Sequence, residues 1–257
     1  MQPWVAFPHA GEYRFTPASA AAQWPRLHAG DAEPLPSRPA VLAAWVLLHN
    51  GQFEQAVAAG LAAGEDGVTV ANKATCIYAT YLEKRETVRL ELLQQAAQRA
   101  QAQAALDPRN PNAWYWQAYA LGRYSQGISV SKALAQGLGG RIKEALEQTI
   151  KLQPRHADAH IALGAFHAEV IDKVGPLVAG MTYGANKELG LKLFQDGLAI
   201  HPLSPIGMME YGNALLMLEG EDRLAEATAW YDRAARCEAV DAVERLHVDL
   251  ARTELVD

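Results

Sequence analysis

Three histidines come nearest to a spacing that chemistry uses. His156, His160 and His167 fall in one stretch, with Asp158, Glu169 and Asp172 nearby. Two histidines four apart on a helix can hold one metal ion from a single face. Here no HExxH sequence accompanies them. His156 falls in a turn, and His160 takes a position that elsewhere in the chain holds a large packing residue. They read as packing or surface histidines.

The other candidates are weaker. Gly137-Leu138-Gly139-Gly140-Arg141 precedes a helix expected from near Arg141, and free amides at a helix start can hold an anion. The run matches neither GxxxxGK[ST] nor a strand-preceded GxGxxG, and turns between helices use glycine freely. No GxSxG occurs. Ser125, Ser129 and Ser131 lack an evident base and orienting acid. Glu144 and Glu147 most simply solvate a helix face. Cys76 and Cys237 are far apart without a CxxC partner, which points to free thiols. No enzymatic activity, metal or cofactor is expected.

The bulk properties agree. With 257 residues, half of them hydrophobic, the chain can build one long domain or two short ones. A net charge of −6 and the absence of a Lys/Arg run argue against nucleic acid. No run reaches the roughly 18–20 apolar residues of a membrane span. Met1-Gln2-Pro3-Trp4 opens no signal-like segment, so a cytoplasmic location is expected.

The elements that would position any site come from a repeat. Leu106-Asp107-Pro108, Leu152-Gln153-Pro154 and Ile200-His201-Pro202 each follow an apolar helical run, at intervals of 46 and 48 residues. A proline just past a helix end stops it and sets the turn to the next helix. Asn110, Asp158 and Ser204 are expected N-caps, and Pro111 and Pro205 suit a first turn. Each following helix carries a large residue and then a small one: Trp114 and Ala118, His160 and Gly164, Met208 and Gly212. The helices that close these repeats carry small, large, small: Gly190, Phe194, Gly197, and less clearly Ile142, Leu146, Thr149. Small residues allow close helix approach, and the large one fills the space between pairs.

This pattern resembles the tetratricopeptide repeat. The expanded central repeat, ALGRYSQGISVSKAL…GGRIKEALEQTIKLQP, is similar to two groups over about Pro108 to Glu219. One is the regulator of microtubule dynamics family, the other the tetratricopeptide T-component of TRAP transporters. The resemblance implies an all-α, tetratricopeptide-like superhelix of about five antiparallel helix pairs with a binding concavity. Residues 39–257 would form the array. Residues 1–38, punctuated by six prolines from Pro3 to Pro36, would form an irregular cap with one short helix around Ala18 to Leu27. Two inserts, approximately Arg123 to Gly140 and Glu169 to Ala185, are too apolar for loose linkers and are expected to extend helices and fold back on the array.

In tetratricopeptide arrays the inner face of each pair's first helix lines the groove. Carried over, that pattern gives Asn112, Tyr115, Tyr119 and Arg123, then Asp158, Ile161, Ala165 and Glu169, then Met209, Asn213 and Leu216. The resemblance thus implies a protein or peptide partner in the groove, with Asn112, Tyr115, Tyr119, Arg123, Asp158, Glu169, Met209 and Asn213 as contacts. The alternative is a homo-oligomer that binds a small ligand or assists transport, its pocket or pore closed by the inserts. The inserts could also fill the concavity and leave Tyr115 and Tyr119 as core.

Overall fold

The structure, a computed structural model, describes residues 4–255. Among them every regular element is a helix. Five antiparallel pairs follow one another: α2 (Pro39–His49) with α3 (Phe53–Ala62), α4 (Val68–Tyr81) with α5 (Glu86–Leu106), α6 (Pro111–Gln126) with α8 (Leu138–Leu152), α9 (Ala157–Val174) with α11 (Lys187–Ile200), and α12 (Pro205–Glu219) with α13 (Leu224–Ala235). A short helix α1 (Pro17–Leu27) precedes them. Two insert helices, α7 (Val130–Ala135) and α10 (Pro176–Tyr183), lie inside the third and fourth pairs. A last helix, α14 (Ala242–Glu254), has no counterpart in the expected array.

Local chemistry sets the helix ends. The Asn110 side chain accepts from the backbone amides of Asn112 and Ala113, and Ser204 accepts from Gly207. Proline sits at the start of α1, α2, α6, α10 and α12, where its missing N–H costs nothing. One expected cap is corrected. α9 is capped by His156, whose Nδ1 accepts from Ala159 N at 3.1 Å. Its helix begins at Ala157, so Asp158 falls in the first turn instead. α8 also starts earlier than expected, at Leu138. Gly137, at φ +61°, makes the turn, and Gly139 and Gly140 continue as helix.

The contacts divide the chain into two compact units. Unit 1 comprises described residues 4–28, 33–152 and 241–243. Its core runs along α2, α4, α5 and α6, around Trp45, Val70, Tyr78, Leu93 and Ala118. The N-terminal segment is pinned here. Trp4 stacks on Tyr78 with ring centroids 3.9 Å apart. The Tyr78 hydroxyl accepts from Val5 N and donates to Glu83 Oε2, each at 3.1 Å. Arg85 donates to both oxygens of Glu83, at 2.9 and 2.7 Å, which holds that buried carboxyl down at about 2.

Unit 2 comprises described residues 29–32, 153–240 and 244–255. Its core gathers Ile161, Phe194, Met208, Met209, Tyr211 and Leu215. Glycines bring the helices together. A Cβ on Gly164 would lie 2.8 Å from the Phe194 ring and 3.0 Å from Gly190 O, and one on Gly197 would lie 2.8 Å from Ile161 and 3.0 Å from Ala157 O. Phe194 is fully buried between these small residues and stacks on Tyr211 at 5.4 Å. Removing one such side chain from water contributes roughly 2–3 kcal/mol.

Candidate interaction surface

In unit 1 the first helices α2, α4 and α6 share a face. α4 is built almost wholly from small and uncharged residues, and its single charge, Lys73, is buried on that face. Its ammonium lies 5.5 Å from the Trp45 ring and 5.9 Å from the Trp116 ring, a cation–π setting. Asn112, also buried, donates from Nδ2 to Glu33 Oε2 at 2.5 Å. The backbone carbonyl of Glu33 accepts from Trp24 Nε1 at 2.8 Å. Trp24 and His28 pack edge-on against Trp45, at 5.8 and 4.7 Å. Residues ahead of the first pair therefore cover this face.

One end of the face carries a buried pair. His49 Nδ1 lies 2.7 Å from Asp241 Oδ2, and both side chains are almost wholly removed from solvent. The imidazole sits among Phe15, Trp24, His28 and Trp45. The other end is accessible. Tyr119 and Arg123 are half-buried on the last turns of α6. The Arg123 guanidinium lies 5.4 Å over the Tyr119 ring, and the Tyr119 hydroxyl donates to Thr80 Oγ1 of α4 at 3.3 Å. Tyr115 is buried beside Trp116 and Tyr119.

The expected positions of unit 2 have separate surroundings. Asp158 donates its backbone N–H to Gly30 O at 3.0 Å, and its carboxylate would collide with a Cβ placed on Gly30. A side chain at position 30 would have to push the Asp158 carboxylate aside. Glu169 is half-buried and pairs with Lys173 at 3.5 Å. Asn213 is half-buried and its Oδ1 accepts from the Tyr231 hydroxyl. Burial pushes Tyr231 up to about 12, so it remains a neutral donor. Met209 is buried in the core, as is Ile161.

The histidines have structural roles as well. His160 Nε2 lies 3.0 Å from Pro154 O, and His167 Nδ1 accepts from Asn186 N at 3.2 Å. Among the described residues no group of three or more His, Cys, Asp or Glu side chains is placed to share a metal ion. Cys76 is fully buried, which pushes its thiol up to about 12 and leaves it a poor nucleophile. Sequence reasoning missed Glu33, Trp45, Lys73 and Trp116. A usable signal existed for Lys73, the lone charge in Val68–Tyr81.

The inserts form helices that pack back on their neighbours as expected, α7 on α8 and α10 on α9. α10 seats Ala179 but leaves Leu177, Val178 and Met181 facing solvent, with Met181 82% exposed. α7 likewise exposes Val130 and Leu134. Separately, a cleft of about 610 Å³ opens in unit 1 between the N-terminal segment and the α2–α3 turn, lined by Phe7, Tyr13, Arg14, Phe15, Phe53 and Glu54 among others.

Comparison with known proteins agrees with the helical repeat fold. The solved structure of a thermophilic TPR protein from Thermus thermophilus superposes with a TM-score of 0.56. The match covers 83% of this chain and 97% of that one at 15% sequence identity, so it speaks for the fold. This chain is a tetratricopeptide-like helical repeat protein. Residues 54–174 of the repeat protein match the family model of regulator of microtubule dynamics protein 1-3, spanning α3 to α9 and including the first insert. No curated protein matches the chain. No helix among the described residues is long and apolar enough to cross a membrane.

Proposed function

We propose that the repeat protein is a binding module for a protein or peptide partner, acting through the inner faces of the first helices and without catalysis. The observation that carries this reading is the Tyr119–Arg123 pair at the accessible end of α6. Arginine offers a planar fork for a carboxylate or a backbone carbonyl, and tyrosine offers area with a polar tip. Both residue types are enriched where binding energy concentrates. Within unit 2, Glu169 and Asn213 are half-buried positions on the first helices α9 and α12. Asn112, Tyr115, Asp158 and Met209 set the helices that carry them. In this reading residues 39–257 form the array and residues 1–38 its cap, and the site of action is cytoplasmic. The similarity to regulator of microtubule dynamics protein 1-3 makes a component of the microtubule system one class of partner to look for. Untagged co-purification from native lysate, read by intact-complex mass spectrometry, tests the proposal. The expected result is a protein partner at defined stoichiometry. A preparation that carries only itself, under several lysis conditions, would count against it.

A second reading has its own observation. Leu177, Val178 and Met181 form an uncharged, solvent-facing strip on α10, and exposed apolar patches mark contact surfaces. An oligomer that buries this strip would be the frame for a small-ligand or transport-accessory role. Analytical ultracentrifugation of the wild type and of Met181→Ser checks it. An oligomer that the substitution dissociates supports the reading, and a monomer across the accessible concentration range excludes it.

A further inference from the structure

One end of unit 2 leaves apolar side chains in water. α9 and α11 are antiparallel, so the end of α9, the insert helix α10 and the start of α11 lie at that end. Lys187 pairs with Glu219 at 2.8 Å, which brings the end of α12 there too, and with it the single 3-10 turn Gly220–Arg223 and the start of α13. On α10, Leu177, Val178 and Met181 face solvent, and Leu189, Met217 and Leu224 are exposed on the neighbouring helix ends. From Val174 to Asn186 the chain carries no charge. An exposed apolar patch with a polar rim marks a contact surface.

The charges around this surface decide between its possible occupants. The cations of the rim are paired: Lys173 with Glu169 at 3.5 Å, Lys187 with Glu219 at 2.8 Å, and Arg223 with Glu226. Asp172, Glu188, Glu221 and Asp222 are exposed and form no ion pair among the described residues. Once the pairs cancel, these four acids leave the rim negative. Acids near a helix start also favour the helix dipole, but that gives no reason for the exposed apolar side chains. A second copy would bring the same acids against themselves, because a two-fold contact uses one patch on both subunits. An anionic lipid surface would be repelled in the same way. A segment with an apolar stripe and flanking Lys or Arg meets both features at once.

We infer that the α10 end of unit 2 is a second docking surface, and that its occupant is a cationic amphipathic segment of a partner protein. Leu177, Val178 and Met181 take the apolar stripe. α10 is 8 residues long, roughly 12 Å at the helical rise, which matches about two turns of a partner helix laid along it. Asp172, Glu188, Glu221 and Asp222 receive the basic flanks and steer the approach. This surface goes beyond the binding-module reading and does not depend on Tyr119 or Arg123.

The test uses the full chain and a short fluorescein-labelled amphipathic peptide of leucine and lysine, with binding read by anisotropy. A peptide with glutamate in place of each lysine is the control. The wild type should bind the lysine peptide, more weakly as salt rises, and should not bind the glutamate peptide. Leu177→Ser/Met181→Ser should weaken binding at least about tenfold, as expected when two apolar side chains leave a contact. Asp172→Asn/Glu188→Gln/Glu221→Gln/Asp222→Asn should weaken it by a similar factor and remove most of the salt dependence. Glu91→Gln/Glu144→Gln removes two exposed acids of unit 1 and should bind as the wild type does. All these positions are exposed, and circular dichroism checks that each variant keeps its helices. Binding left unchanged in a folded α10-end variant of either kind overturns the inference, as does an equal loss in the Glu91/Glu144 control. A wild-type dimer in sedimentation that Leu177→Ser/Met181→Ser dissociates also overturns it, because a second copy then covers the strip. So does adsorption to phosphatidylcholine–phosphatidylserine vesicles that the same variant abolishes. Partner capture that depends on Tyr119 and Arg123 is a separate measurement, so either reading can fail while the other stands.

Discussion

Unit 1 and unit 2 are built from the same kind of helix pair but bury different chemistry on their first helices. In unit 1 the buried set includes Lys73, Asn112 and the His49–Asp241 pair, held among aromatic rings. In unit 2 the first helices bury Ile161, Met208, Met209 and Leu215 against Phe194 and closely approaching glycines, with His167 the buried polar side chain of α9. Apolar packing of the second kind is complete once the helices meet. A polar face of the first kind is stable only while something satisfies it, because an unmet buried donor costs about 1–3 kcal/mol. N-terminal residues lie on the unit 1 face, where Glu33 accepts from the buried Asn112 amide.

Substitutions can break this contrast from either side. The largest effect is expected at Phe194→Ala, which removes a fully buried ring and should cost about 3–5 kcal/mol. Urea denaturation would measure it, and hydrogen exchange should show α9, α11 and α12 losing protection first. Gly164→Ala attacks the same packing from the opposite direction, since the new methyl would meet the Phe194 ring at 2.8 Å. A loss of about 1–3 kcal/mol is expected, and it should shrink in a Phe194→Leu background. In unit 1, Asp241→Ala leaves His49 Nδ1 buried without its partner. The expected cost is about 1–3 kcal/mol, and Asp241→Asn should recover part of it.

Acid sharpens the contrast further. Glu83 is held well below the ordinary carboxylate range by Arg85, with Tyr78 also donating to it. A carboxyl depressed in the folded state contributes stability above its unfolded-state value and loses it as pH falls. Here the loss runs from about 4.5 down to about 2. Melting followed by circular dichroism should therefore show a decline across that window in the wild type that is reduced in Glu83→Gln. The smallest effect is expected on α10, where Leu177→Ser changes a side chain that is 74% exposed. Stability of the monomer should move by no more than about 0.5 kcal/mol.

What was legible in the sequence follows from the range of each interaction. The prolines after Leu106, Leu152 and Ile200 end helices by local sterics, and Gly164, Gly190 and Gly197 declare close approach within one pair. The repeats that these prolines bound could therefore be read from spacing, the count of five pairs came with the resemblance, and the solved tetratricopeptide neighbour bears the repeat fold out. His49 and Asp241 are 192 residues apart, and no periodicity links them. Glu33 on Asn112 joins an irregular segment to a helix 79 residues on. α14 follows the last pair without a repeat partner, so the spacing that identified the others could not reach it. Asp158 had the right residue type for a cap, but the helix starts two residues earlier, where the His156 imidazole accepts from Ala159 N. Of the groove residues, the resemblance supplied positions on a helix face but not what lies over that face. The inner position of Asn112 could be named from the repeat register, whereas its occupation by Glu33 depends on a segment outside the repeat.

The central claim is that the inner face of α6 recognises a partner, and one comparison tests it most directly. Wild type and Tyr119→Ala/Arg123→Ala would be purified untagged from the same native lysate and their bound proteins weighed intact. Both should show the same helical circular dichroism, since the two side chains are only half-buried. The account predicts a partner of defined mass and stoichiometry on the wild type that is absent from the double variant. The same partner retained by a folded double variant would contradict it.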